Sequence, residues 1–159
     1  MIQPLPVGLG EVRVSRDPSQ QLCVYGLGSC VAVFLYAPGA PAVGLAHVVL
    51  PRSPGLNGGE SAEPGRYADQ AVPRLVTELA KAGVRQTALR AAIAGGAAVL
   101  GFTSAIGEQN VQAVREQLRG HGIPIEQEDV GGQRGRSVLF DAFQRKLDVR
   151  MLSAPNIDI

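Results

Sequence analysis

Up to position 50 the chain is cut into four short apolar runs, 10–14, 22–25, 30–36 and 43–50, rich in β-branched side chains and bounded by glycine or proline. Runs of this length suit strands rather than helices, and glycine and proline supply the turns between them. The front half therefore reads as sheet. The stretch 51–66, PRSPGLNGGESAEPGR, holds too much Pro, Gly and Ser for a packed element and reads as a long surface loop. Beyond it Ala68, Val72, Leu75, Val76, Leu79 and Ala82 recur at helical spacing, with Gly83 as the stop signal. Pro73 inside this stripe either kinks the helix or marks the first turn of a shorter one. Residues 89–94 read as a buried strand ending in Gly95-Gly96. Val111, Val114 and Leu118 form a second helical stripe closed by Gly120, and SVLFDAF and LDVRML read as two further strands. The expected fold is α/β: one compact domain over 1–159, a sandwich of mixed β-sheet with two main helices packed on it.

A chain of 159 residues can bury roughly 70% of its unfolded surface, so a substantial core is available. With 4% aromatic residues and no Trp, that core must be built from Val, Leu, Ile and Ala. Fifteen basic against fourteen acidic residues leave a net charge of +1, which offers no electrostatic footprint for nucleic acid or an anionic membrane. No apolar run reaches the ~20 residues that span a bilayer, and MIQPLPVGLGEVRVS has neither a basic start nor a continuous apolar stretch, so a cytoplasmic location is expected.

Chemistry concentrates in VYGLGSCVAVFLY. Cys30 stands directly behind the turn material Gly28-Ser29 and directly ahead of a strand. A strand needs no thiol at its start, whereas a nucleophile benefits from a tight turn that leaves backbone N–H groups free beside it. His47 lies in the next strand. A tight loop over 37–40, with Pro38-Gly39 at its centre, would pair residues whose numbers sum to 77, placing Cys30 opposite His47. A two-residue slip would move His47 to a diagonal position on the same face. An adjacent imidazolium would stabilise the thiolate, making the two a nucleophile and its base. The N–H groups of 28–30 are candidate oxyanion donors, and Ser29 can add a hydroxyl. A lone Cys/His pair has too few ligands for zinc. The plainer reading is that Cys30 is a small core residue and His47 a satisfied interior histidine. Cys23, between Leu22 and Val24, reads as a buried structural thiol, and His121 in RGHGI as a solvated helix-end residue.

GLGSCVAV, AHVVLP, GGAAV, IGEQN and DVGGQRGRSVLF resemble, in this order and spacing, the CheD chemoreceptor glutamine deamidases, with His47 following Cys30 by seventeen positions. The resemblance implies a compact α/β sandwich related to bacterial toxin deamidases, with a Cys–His–Thr triad in which Cys30 is the nucleophile and His47 the base. The family's threonine lies six positions before the cysteine. Here that position is Val24, which has no oxygen to accept a hydrogen bond from the imidazole. A backbone carbonyl, or a hydroxyl from Ser29 or Tyr25, would then orient His47. Gly95-Gly96, Asn110, Gly131-Gly132 and Arg136 match family positions too and read as turns and a structural hydrogen-bonding network.

The implied activity is cofactor-free hydrolysis of selected glutamine side chains on methyl-accepting chemotaxis receptors, through a Cys30 thioester. The implied partners are those receptors and a CheC-type phosphatase, with the protein itself a monomer. Two rivals stand beside it: a module that docks on receptors or phosphatase with weak or no catalysis, and a cysteine hydrolase for another acyl substrate.

Overall fold

The computed structural model describes residues 2–54, 62–99 and 104–152. Among the described residues nine strands form two stacked sheets. The four-stranded sheet has the order β1–β3–β8–β9, from Gln3–Pro6, Gln20–Leu27, Arg136–Asp141 and Lys146–Met151. The five-stranded sheet has the order β2–β5–β4–β6–β7, from Val12–Ser15, Val43–Val48, Val31–Tyr36, Arg90–Gly95 and Ile125–Val130. Both are mixed, since β1 runs parallel to β3 and β7 parallel to β6.

The period-2 alternation of β4 sorts its side chains into two cores. Val31, Val33 and Leu35, with Ala46, Val48, Ala91 and Ile93, face helices α1 (Ala68–Lys81) and α2 (Ser104–Gly120). Ala32, Phe34 and Tyr36, with Val43, Leu45, Ala92 and Ala94, face Leu22, Val24, Leu27, Val138 and Phe140 of the other sheet. Phe34 stacks on Phe140 at 5.4 Å there. The layers are thus helices, five strands and four strands. Every residue of β4 and β5 is buried, so both strands are held on both faces.

Helix α1 runs through Pro73 rather than stopping there. Its buried stripe is Ala68, Ala71, Val72, Leu75 and Leu79, and the carboxylate of Asp69 in its first turn receives the N–H of Ser53. Of the loop expected over 51–66, the described ends hold no helix and no strand beyond a bridge between Leu50 and Tyr67, and 55–61 lies outside the described residues. Two strands have no counterpart in the sequence reading. Strand β1 carries Pro4 and Pro6, a poor strand signature. Gln3 and Val7 give their N–H groups to Ser19 and Cys23, so the two proline nitrogens fall on the open edge, where no donor is needed. Strand β7, IEQEDV, is an edge strand whose glutamates alternate outward, so it lacks the apolar run that announced the others.

Candidate active site

Strand β3 belongs to the four-stranded sheet and β4 to the five-stranded one, so residues 28–30 carry the chain from one layer to the other. The pairing of β3 with β8 slips between Val24 and Leu27, where Gly26 takes φ +72°, a conformation glycine adopts at little cost. Gly28, Ser29 and Cys30 follow, all half-buried, and β4 starts at Val31.

The register of β4 and β5 corrects the expected one. Ala32, not Cys30, stands opposite His47, and the ladder ends at Val31 and Val48. The turn bond from Ala40 N–H to the Ala37 carbonyl does form, at 3.2 Å. Pairing nevertheless begins only at Tyr36 and Val43, because Pro41 has no N–H and biases Ala40 away from a tight return. The slip is of two residues and therefore preserves the face. Cys30 packs against the inter-sheet core, on the side to which Ala32 and Leu45 point. It is the diagonal neighbour of His47, a relation that sets Cα atoms about 7–8 Å apart and lets long side chains meet.

His47 is buried, and its Nδ1 lies 3.1 Å from the carbonyl oxygen of Val7. A carbonyl only accepts, so Nδ1 carries the proton and donates it, and Nε2 keeps its lone pair. The N-terminal segment is fastened to the same residue by its backbone. The His47 N–H donates to the Glu11 carbonyl and the Gly10 N–H to the His47 carbonyl, both at 3.0 Å. Burial pushes the imidazole below its ordinary value, against the opposing pull of the Val7 carbonyl and the Glu11 charge. Burial likewise pushes the Cys30 thiol upward. Burial thus favours the neutral form of both groups, the thiol and the imidazole.

Val24 is a core residue, opposite Val138 and 1% exposed. Of the groups expected to orient His47 in its place, a backbone carbonyl does so. Tyr25 is 56% exposed and lies beside Cys23, away from the imidazole. Cys23 is buried, as expected, and His121 sits at the end of α2 with its ring on the Gln117 carbonyl. Among the described residues no three His, Cys, Asp or Glu side chains converge where a metal could be held.

The turns around 95 and 131 support the cysteine rather than merely connecting strands. Gly96 and Ala97 give their N–H groups to the carbonyls of Cys30 and Gly28, each at 2.8 Å. A Cβ on Gly95, which has φ +111°, would lie 2.2 Å from the Cys30 oxygen. Gly131 and Gly132 bond in turn to Gly95 and Ala98. The buried Arg136 guanidinium holds that second turn through the carbonyls of Asp129, Gly131 and Arg134 and the Asp129 carboxylate. Asn110 of α2 donates to the carbonyls of Ser29 and Val49, both at 2.9 Å. The contribution of Val7 leaves no mark in the sequence, because any residue type presents a carbonyl.

A family model described as CheD, chemotactic sensory transduction, matches residues 49–151. The chain is 44% identical over 145 residues to the chemoreceptor glutamine deamidase CheD of Thermotoga maritima, covering 91% of this chain and 89% of that one. It is 36% identical over 158 residues to the probable chemoreceptor glutamine deamidase CheD of Haloarcula marismortui, covering 98% and 89%, a span that takes in Cys30 and His47. Among solved structures it is similar to the Bacillus licheniformis hypothetical protein YfiH, 15% identical with a TM-score of 0.47, covering 77% of this chain and 50% of that one. The chain therefore spans about half the length of that protein.

Proposed function

Because the chain belongs to the CheD family, we propose that it hydrolyses the side-chain amide of selected glutamines on methyl-accepting chemotaxis receptors, with Cys30 as nucleophile and His47 as base. The observation that carries this reading is the tautomer of His47. With Nδ1–H committed to Val7, the basic Nε2 is the nitrogen left for the thiol on the same face. Nε2 takes the thiol proton as Sγ attacks the amide carbon. The oxyanion is met by N–H groups of the 28–30 turn, with the Ser29 hydroxyl beside them. The imidazolium returns the proton to the leaving nitrogen, ammonia departs, and a thioester remains. Water, deprotonated by the same imidazole, then cleaves the thioester to glutamate and restores the thiol. No cofactor enters any step.

Each event adds one negative charge to a receptor helix bundle, which shifts the balance of its signalling states. Family resemblance supports a CheC-type phosphatase as a second partner; a monomer as the working form and the cytoplasm as the place of action complete the reading. No helix among the described residues is long and apolar enough to cross a membrane. The second reading, a docking module with weakened catalysis, starts from the valine at position 24, and the Val7 carbonyl on His47 weighs against it.

Incubation with receptor fragments followed by mass spectrometry distinguishes these readings. Conversion of Gln to Glu by the wild type, abolished by Cys30→Ala and by His47→Ala, is the expected result. Binding without conversion would favour the docking module, and turnover that survives Cys30→Ala would overturn the assignment of the nucleophile. Neither binding nor conversion would leave a cysteine hydrolase of other specificity.

A further inference from the structure

The open end of the β4–β5 ladder is closed by a side chain. Backbone pairing stops at Val31 and Val48, and the next register position would set Cys30 opposite Val49. Across that position lies the amide of Asn110, fully buried, with Nδ2 2.9 Å from the Ser29 carbonyl on the nucleophile's strand and 2.9 Å from the Val49 carbonyl on the base's strand. Both neighbours are acceptors, so the atom between them must be the nitrogen, and both its hydrogens are used. The Asn110 oxygen is buried with no partner among the described residues. The amide is thus held for its two donors, while its acceptor is left unused.

The consequence for the turn follows from peptide geometry. The described chain has no cis peptide bond, so each carbonyl and the N–H that follows it point in opposite directions. The carbonyls of Gly28, Ser29 and Cys30 are anchored in succession by the Ala97 N–H, the Asn110 amide and the Gly96 N–H. Anchoring the Ser29 carbonyl aims the Cys30 N–H away from Asn110, and anchoring the Gly28 carbonyl aims the Ser29 N–H away from Ala97. Neither N–H has a partner among the described residues. For Cys30 the reason is visible. A regular antiparallel pair exchanges two bonds, but Gly96, at φ +63°, gives its N–H to Cys30 while the chain turns away before the return bond can form.

We propose that Asn110 is a positioning residue of the reaction, fixing the Cys30 N–H as the oxyanion donor. This rests on the deamidase reading above. The oxyanion exists in the tetrahedral intermediate and in the transition states flanking it, whereas alkylation of the thiol by iodoacetamide forms none. Loss of the clamp should therefore separate the two reactions.

The test compares the wild type, Cys30→Ala, Asn110→Ala and the nearly isosteric Asn110→Asp in receptor deamidation. Alkylation of Cys30 is followed against pH in the same Asn110 variants and the wild type, as is inhibition by a glutamine-derived peptide aldehyde, which forms a thiohemiacetal with the thiol. The expected outcome for a folded Asn110 variant is kcat lowered on the order of 100-fold with KM little changed. Aldehyde affinity should fall in step, and the alkylation rate and its pH midpoint should stay within a few-fold of wild type. Deamidation within a few-fold of wild type, or alkylation falling together with turnover, would overturn the proposal. If neither variant folds, the wild type still decides. The amide protons of Ser29 and Cys30 should show the largest shifts on forming the aldehyde adduct, and unmoved resonances would overturn it. Deamidation that persists in Cys30→Ala would instead remove the underlying reading.

Discussion

Replacing Val24 by threonine restores the residue type expected at the third triad position and changes the side chain by one methyl for one hydroxyl. If Val24 were the reason for an unsupported imidazole, turnover would rise by roughly 10-fold, equivalent to about 1.4 kcal/mol of transition-state stabilisation. The structure argues otherwise. Nδ1 of His47 already donates to Val7 at 3.1 Å, so its one proton has a partner. Val24 is 1% exposed, set among Val7, Leu22, Leu27 and Val138. A hydroxyl introduced there loses about 0.8 kcal/mol of methyl burial and a further ~1–2 kcal/mol for an unsatisfied polar group. A net loss of about 2–3 kcal/mol lowers the melting temperature of a domain this size by roughly 4–12 °C. Single-turnover deamidation and thermal unfolding, measured on the wild type and Val24→Thr, give both quantities. The expected result is no gain in rate and a lower melting temperature. A 10-fold faster enzyme of unchanged stability would refute the reasoning, because the imidazole would then be choosing the new hydroxyl over the Val7 carbonyl.

Gly95→Ala is expected to abolish turnover and destabilise by at least ~2 kcal/mol, because its Cβ would fall 2.2 Å from the Cys30 oxygen at φ +111°. Gly39→Ala, also at positive φ but with nothing within 4 Å, should lose only about 1 kcal/mol in urea unfolding and retain activity. Arg136→Met removes a buried donor from three carbonyls, and denaturant titration should show a loss of about 2–3 kcal/mol. Stability should also depend on pH in a defined way. The folded imidazole of His47 lies below its ordinary value, so the unfolded chain binds the proton first, and stability declines as pH falls through about 6.5 and onward to the folded value. The folded thiol of Cys30 lies above its ordinary value, so the unfolded chain loses its proton first, and stability declines as pH rises beyond about 9. Thermal unfolding across this range checks both, and Cys30→Ala and His47→Ala should flatten the alkaline and acidic limbs respectively.

What the sequence discloses depends on how far each residue type commits the backbone. The apolar runs that became β4 and β5 were legible because strands buried on both faces must be apolar throughout. The helical stripe of α1 was legible from its spacing even though a proline interrupts it. Strands β1 and β7 were hidden by their edge positions, where proline and glutamate are tolerated and no apolar signature is demanded. Within the site, Cys30 and His47 could be placed on one face because a register error of two residues does not change the face. The two-residue difference traces to Pro41, which has no N–H and keeps the 37–40 turn from closing directly onto its flanking strands. Asn110 belongs to the expected hydrogen-bonding network, but no spacing in the sequence tells that both its hydrogens go to the carbonyls of Ser29 and Val49, next to Cys30 and to the strand of His47. The Val7 carbonyl was beyond any reading of side chains.

The wall behind Cys30 is assembled from distant parts of the chain. Strand β3, which leads into Cys30, is flanked on one side by β1 and on the other by β8, and Gly26 reaches the Ser137 hydroxyl across 111 positions. At a synthesis rate of roughly 5–20 residues per second, β8 leaves the ribosome several seconds after the cysteine does. Until β8 arrives the sheet behind Cys30 lacks one flank, and the turn at 131, which bonds to Gly95, emerges only just before it. The backbone around Cys30 therefore reaches its final geometry only when the second sheet closes.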